Sequence, residues 1–124
     1  MAFESTAGVA FARPGGESFV PSRARPVDLV HLARQTLGDR ALEQEVLSLF
    51  LTQLRTLSER IGEAPAKERM ALAHGLKGSA GNVGAFALAE CAAQIEREPA
   101  NKAHLKELTL LIEQVRDFVA TINR

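Results

Sequence analysis

The chain has 124 residues, with 15 Lys plus Arg balanced by 15 Asp plus Glu, so its formal charge is zero. That length fits one domain with a core of its own, and the charge balance argues against a nucleic-acid or anionic-membrane partner. A single cysteine, Cys91, excludes an internal disulfide and fits a reducing compartment. No apolar run approaches the roughly 18 residues of a membrane span. Glu4 and Arg13 interrupt the N-terminus, which does not read as a secretory signal. These features predict a cytoplasmic protein.

Residues 1–25 differ from the rest. "ARPGGESFVPSRARP" is rich in Pro, Gly, Ser and Arg without an apolar period and reads as a flexible arm before a domain at 26–124. From Pro26 the pattern is helical. A first short helix starts at Pro26 and stops at Gly38. Asp39 caps a long second helix ending at Gly62, with Leu42, Val46, Leu49, Phe50, Leu54, Leu57 and Ile61 as its inward stripe. Pro65 starts a third helix with Leu72, Leu76, Ala80 and Val83 inward, and Gly84 breaks it. The fourth helix, "AFALAECAAQIERE", turns Leu88, Cys91 or Ala92, and Ile95 inward. Pro99 ends it and Asn101 caps the last, whose stripe is Leu105, Leu108, Ile112, Val115, Val119 and Ile122. No strand or repeat signal appears. The predicted fold is all-α: an antiparallel up-down-up-down four-helix bundle with an additional short N-terminal helix.

The third helix carries an unusual stretch, "AHGLKGSAGNVGA" from Ala73 to Ala85. At 100° per residue, His74 is about 200° from Leu72 and from Leu76, so it faces away from the core. Its face collects Lys67, Met70, Ala71, Lys77, Gly78 and Gly81. Gly75, Gly78 and Gly81 together cost the helix on the order of 2–3 kcal/mol relative to alanine. A solvated surface histidine on a glycine-rich helix is one reading. The other is that bare backbone lets a second macromolecule approach the imidazole closely.

"HGLKGSAGNVGA" resembles the signature of histidine-containing phosphotransfer (HPt) domains, through His74, Leu76, Lys77, Gly78, Ser79, Ala80, Val83, Gly84 and Ala85. The upstream "GDRALEQEVLSLFLTQL" and the downstream "LAECAAQIE", with Ile95 where leucine is usual, are similar to the family's flanking helices. The resemblance covers about residues 26–123 and implies a four-helix bundle with an accessory helix. It also implies a phosphoryl carrier, with His74 as the phosphoacceptor. The phosphoryl group would come from a receiver-domain aspartate or a hybrid kinase and pass to another receiver domain.

The residues are compatible with that chemistry. A largely neutral imidazole is a competent nucleophile at pH 7, and phosphoryl transfer depends mainly on positioning and charge neutralisation. Lys77, one turn after His74, can place a point charge near phosphoryl oxygens; otherwise it is a solubilising surface lysine. Gly78 gives a partner clearance. Ser79 flanks the inward face and is read as bonding a backbone carbonyl. Leu47 and Leu51, beside the inward stripe, either join Met70 and Ala71 in an exposed docking patch or pack under the first helix. His31 and His104 have no ligand spacing to His74 and no metal site is read. No cofactor is expected on this chain; Mg²⁺ is expected from the partner receiver domain. A monomer is expected.

Two other functions compete. One is a helical adaptor that binds and inhibits a receiver or kinase without carrying phosphate. The other is a kinase dimerisation domain, which has an acidic residue directly after its histidine where this chain has Gly75.

Overall fold

The computed structural model describes residues 25–123; the arm expected at 1–25 lies outside them except for Arg25. Among the described residues the chain forms five helices and no strand: α1 (Leu29–Gln35), α2 (Arg40–Arg60), α3 (Ala66–Val83), α4 (Phe86–Arg97) and α5 (Lys102–Ile122). α3 packs on α4, α4 on α5, and α2 on both α3 and α5, so the four long helices close a bundle around one core. The short α1 packs on α3.

Side-chain caps begin three of the helices. Asp28 accepts from the backbone N–H groups of Val30 and His31, both at 3.1 Å, so α1 starts three residues later than Pro26 suggests. Asp39 accepts from Leu42 N–H at 3.0 Å, and Asn101 from Ala103 N–H at 3.0 Å. Each satisfies an otherwise orphaned donor.

The turn after α1 departs from the expected glycine stop. Leu37 N–H donates to Arg34 O at 3.3 Å and Gly38 N–H to Ala33 O at 2.9 Å, the paired bonds of a Schellman ending. The left-handed residue that follows the cap is Leu37, at φ 54°, with Gly38 next at φ 77°. Glycine thus sits one place too late to relieve the first left-handed position.

At the other end of α3, Gly84 has φ 93° and cannot be replaced freely. Its carbonyl accepts from Asp28 N–H at 2.9 Å, and a Cβ at Gly84 would stand 2.9 Å from Asp28 O. His31 Nε2 meets Asn82 O at 3.1 Å, and its ring sits edge-on to Phe86 at 5.1 Å. These contacts seat α1 on the α3–α4 turn.

The core of α2 is Leu47, Phe50, Leu54, Leu57 and Ile61, a run of alternating three- and four-residue steps. This corrects the sequence stripe in phase. Leu42 and Leu49, expected inward, are exposed, whereas Leu47 is only 2 % exposed. Two apolar stripes overlap in this helix, and the one that meets the other helices wins. The remaining inward residues are found where expected: Leu76, Ala80 and Val83 on α3, Leu88, Cys91, Ala92 and Ile95 on α4, and Leu108, Ile112, Val115 and Val119 on α5. Leu72, Leu105 and Ile122 are half-buried against them. Cys91 is a core residue: burial, and then the charge of Glu107, push its thiol up to about 12.

One buried cation was not foreseen. Arg69 is buried and donates to Ile61 O at 2.9 Å, Gly62 O at 2.8 Å and Pro99 O at 2.7 Å. It ties the α2–α3 turn to the α4–α5 turn, and these three carbonyls stand in for its water.

Candidate functional site

Helix α3 turns Arg69, Ala73, Leu76, Ala80 and Val83 into the core. That phase leaves His74 on the outer face, its side chain 67 % exposed, as the helical wheel requires. Ala71 and Gly78 are also exposed, Met70 is exposed, and Gly81 is half-buried. A Cβ built on Gly75, Gly78 or Gly81 would meet nothing within 4 Å. Among the described residues, nothing therefore demands glycine at those three positions. Ser79 bonds back to Gly75 O at 3.3 Å, a local helix contact.

The side chain that organises the site comes from α4. Glu96 Oε2 lies 2.9 Å from His74 Nδ1, and Glu96 Oε1 lies 3.0 Å from Lys77 Nζ. One carboxylate thus bridges the histidine and the lysine. The hydrogen bond from Lys77, opposed in part by desolvation and aided by His74, holds the Glu96 carboxyl below the usual glutamate range. An ionised carboxylate only accepts. The ring proton therefore sits on Nδ1, and in the neutral ring Nε2 keeps its lone pair.

Glu96 escaped the sequence reading. It is 22 residues from His74 and belongs to no local spacing. The available signal was its place beside inward Ile95 and one turn after inward Ala92, at the edge of the buried face of α4.

The docking residues divide. Met70, Ala71, Gly78 and Gly81 share the outer surface with His74. Leu47 does not: it is buried, which corrects its place in an exposed patch. Leu51 is half-buried and turned to α5, lining a groove with Glu113, Arg116, Asp117 and Ala120. Leu49 is 200° from Leu51 on the α2 wheel and 66 % exposed. Leu42, Val46 and Leu49 therefore lie on the side of α2 away from Leu51, Leu42 and Leu49 exposed and Val46 half-buried.

Among the described residues, no group of three or more His, Cys, Asp or Glu is placed to hold a metal ion. His104 instead pairs with Glu98 at 2.9 Å, and no described helix is long and apolar enough to cross a membrane.

The fold and site define a helical bundle that presents one oriented histidine on its outer surface. A family model for the Hpt domain matches residues 45–118, more than half of the chain. The chain belongs to the Hpt domain family. Domains of this family are histidine phosphocarriers of phosphorelays, working with receiver domains and kinases rather than as classical enzymes. No curated protein and no solved structure matches the chain.

Proposed function

We propose that this chain is a phosphorelay intermediate in which His74 accepts a phosphoryl group from a receiver-domain aspartate, or from a hybrid kinase, and passes it to another receiver domain. The observation that carries the reading is the His74–Glu96 contact on an exposed imidazole. It directs the Nε2 lone pair away from the bundle, where an incoming phosphorus atom can be reached.

In the forward step, Nε2 attacks the phosphorus of the partner's aspartyl phosphate. The bond from phosphorus to the aspartate oxygen breaks, and the carboxylate leaves with the electron pair. The Nδ1 proton stays on the ring, facing Glu96, which holds the ring in line for the transfer. Lys77 is the cation within reach of the phosphoryl oxygens. Such a transition state requires mainly alignment and charge neutralisation. We assign the remaining charge, including Mg²⁺, to the receiver partner; this chain contributes no cofactor.

The bare backbone at Gly78, flanked by Gly75 and Gly81, suits a partner whose own backbone must close over His74. Met70 and Ala71 supply apolar area beside it, and we assign the exposed Leu42 and Leu49 of α2 to the same docking surface. We read the bundle as up-down-up-down, because the connections between its long helices are short, and the chain as a monomer acting in the cytoplasm.

The test is transfer from a receiver domain charged with acetyl phosphate in Mg²⁺. Wild type should acquire an acid-labile, base-stable label and His74→Gln none. Equal labelling of His74→Gln, or binding without any label, would contradict the reading; the latter describes an adaptor.

A further inference from the structure

We propose that Glu96 sets the phosphoryl-transfer potential of His74, by occupying Lys77 and adding its own negative charge so that a phosphoryl group on Nε2 is held weakly and passed on. This rests on the carrier reading above and concerns the energetics of the same site.

The argument starts from the two contacts made by one carboxylate, 2.9 Å to His74 Nδ1 and 3.0 Å to Lys77 Nζ. A phosphoryl group brings about −1.5 to −2 charges. Lys77 is the cation that can answer it from one turn away, but in the resting site it already answers Glu96. The ring keeps its Nδ1 proton and so gains one positive charge, which is less than the phosphoryl group's negative charge; phosphorylation therefore adds net negative charge beside Glu96 and sets two anions to compete for the Lys77 ammonium. Either Lys77 leaves Glu96 for the phosphoryl oxygens and Glu96 loses its partner, or Lys77 stays and the phosphoryl group has none. Both outcomes raise the free energy of the phosphorylated state. Charge repulsion over a few ångströms survives partial exposure, since Glu96 is only 27 % exposed on the side-chain scale and the effective dielectric there is below that of water.

The orienting and the electrostatic roles of Glu96 separate chemically. Gln at position 96 keeps an oxygen that accepts from Nδ1–H, so the ring orientation survives. It removes the charge and releases Lys77. If Glu96 served only to hold the ring, Glu96→Gln would leave the phosphoryl equilibrium where it is.

A partner-free exchange measures that equilibrium: N-phosphoimidazole plus protein gives imidazole plus phospho-His74. His74 Nε2 attacks phosphorus, the donor's P–N bond breaks, and neutral imidazole leaves, keeping the proton on its other nitrogen. The phosphorylated His74 ring carries its own proton on Nδ1, so charge and atoms balance without metal. The constant is read by ³¹P NMR on the full chain.

Glu96→Gln is expected to raise this exchange constant about five-fold relative to wild type. Adding Lys77→Gln to Glu96→Gln should remove most of the gain. Thermal melting of each variant confirms that it is folded. An unchanged or lowered constant in Glu96→Gln overturns the inference, as does a gain that persists in the double variant. Failure of phosphoimidazole to load His74 overturns it too, because a free Nε2 is its premise. The carrier reading fails separately, if wild type takes no label from a charged receiver domain.

Discussion

His74 and Glu96 are joined across the α3–α4 seam by a 2.9 Å contact between Nδ1 and Oε2. The carboxyl lies below its ordinary value of 4.5, through Lys77 first and His74 second. Because the folded value is depressed, what Glu96 contributes to stability is complete above the unfolded value and fades as pH falls through the folded one. Two outcomes are expected by NMR. The Glu96 side-chain carboxyl titrates with a midpoint below 4.5, and the neutral His74 ring carries its proton on Nδ1. In Glu96→Ala the ring should populate both tautomers. A Glu96 midpoint at or above the ordinary value, or a wild-type ring protonated on Nε2, would contradict the geometry.

The glycines of α3 are expected to behave in opposite ways. Gly84→Ala meets a left-handed backbone and the Asp28 carbonyl at 2.9 Å, so it should destabilise by about 2 kcal/mol or more. Gly78→Ala meets open space within a helix and should stabilise by about 0.5–1 kcal/mol. If clearance for a partner is its purpose, the stabilised Gly78→Ala protein transfers phosphate more slowly. Urea melts and transfer rates on the same samples check both halves.

Leu37 is left-handed at φ 54° and 92 % exposed. It carries the strain of the α1 ending without burying apolar surface in return. Leu37→Gly should raise stability by about 1 kcal/mol, measured by the urea midpoint at constant slope. A loss would show that this turn gains from the leucine side chain.

Two leucines on α2 should separate folding from docking. Leu47→Ala removes a buried side chain and should cost about 2–5 kcal/mol. Leu49→Glu changes an exposed one and should leave the melt within about 0.5 kcal/mol, while weakening transfer from a charged receiver domain several-fold. Equal transfer in Leu49→Glu and wild type would remove Leu49 from the docking surface.

Helix identities and most inward positions were legible because α4 and α5 each carry one unambiguous apolar stripe, with Asn101 as an evident cap. α2 was not, because Leu42, Val46 and Leu49 compete with Leu47 and Phe50. Period alone cannot rank two stripes about 100° apart; contact with α3 and α5 does. Outward placement of His74 followed from its phase against Leu72 and Leu76, and survived although Ala73 is more buried than Leu72. Glu96 and Arg69 were illegible for one shared reason. Their partners lie on another helix or in turns outside the helical period, and only the assembled bundle brings a carboxylate to Nδ1 or three carbonyls to a guanidinium.

The most direct measurement is the position of the phosphoryl group after transfer from a charged receiver domain, read by ³¹P NMR and fragmentation of the loaded chain. A single phosphohistidine is expected, at residue 74 and on Nε2. A phosphoryl group on Nδ1 of that ring, on His31 or His104, or nowhere in the chain would contradict it.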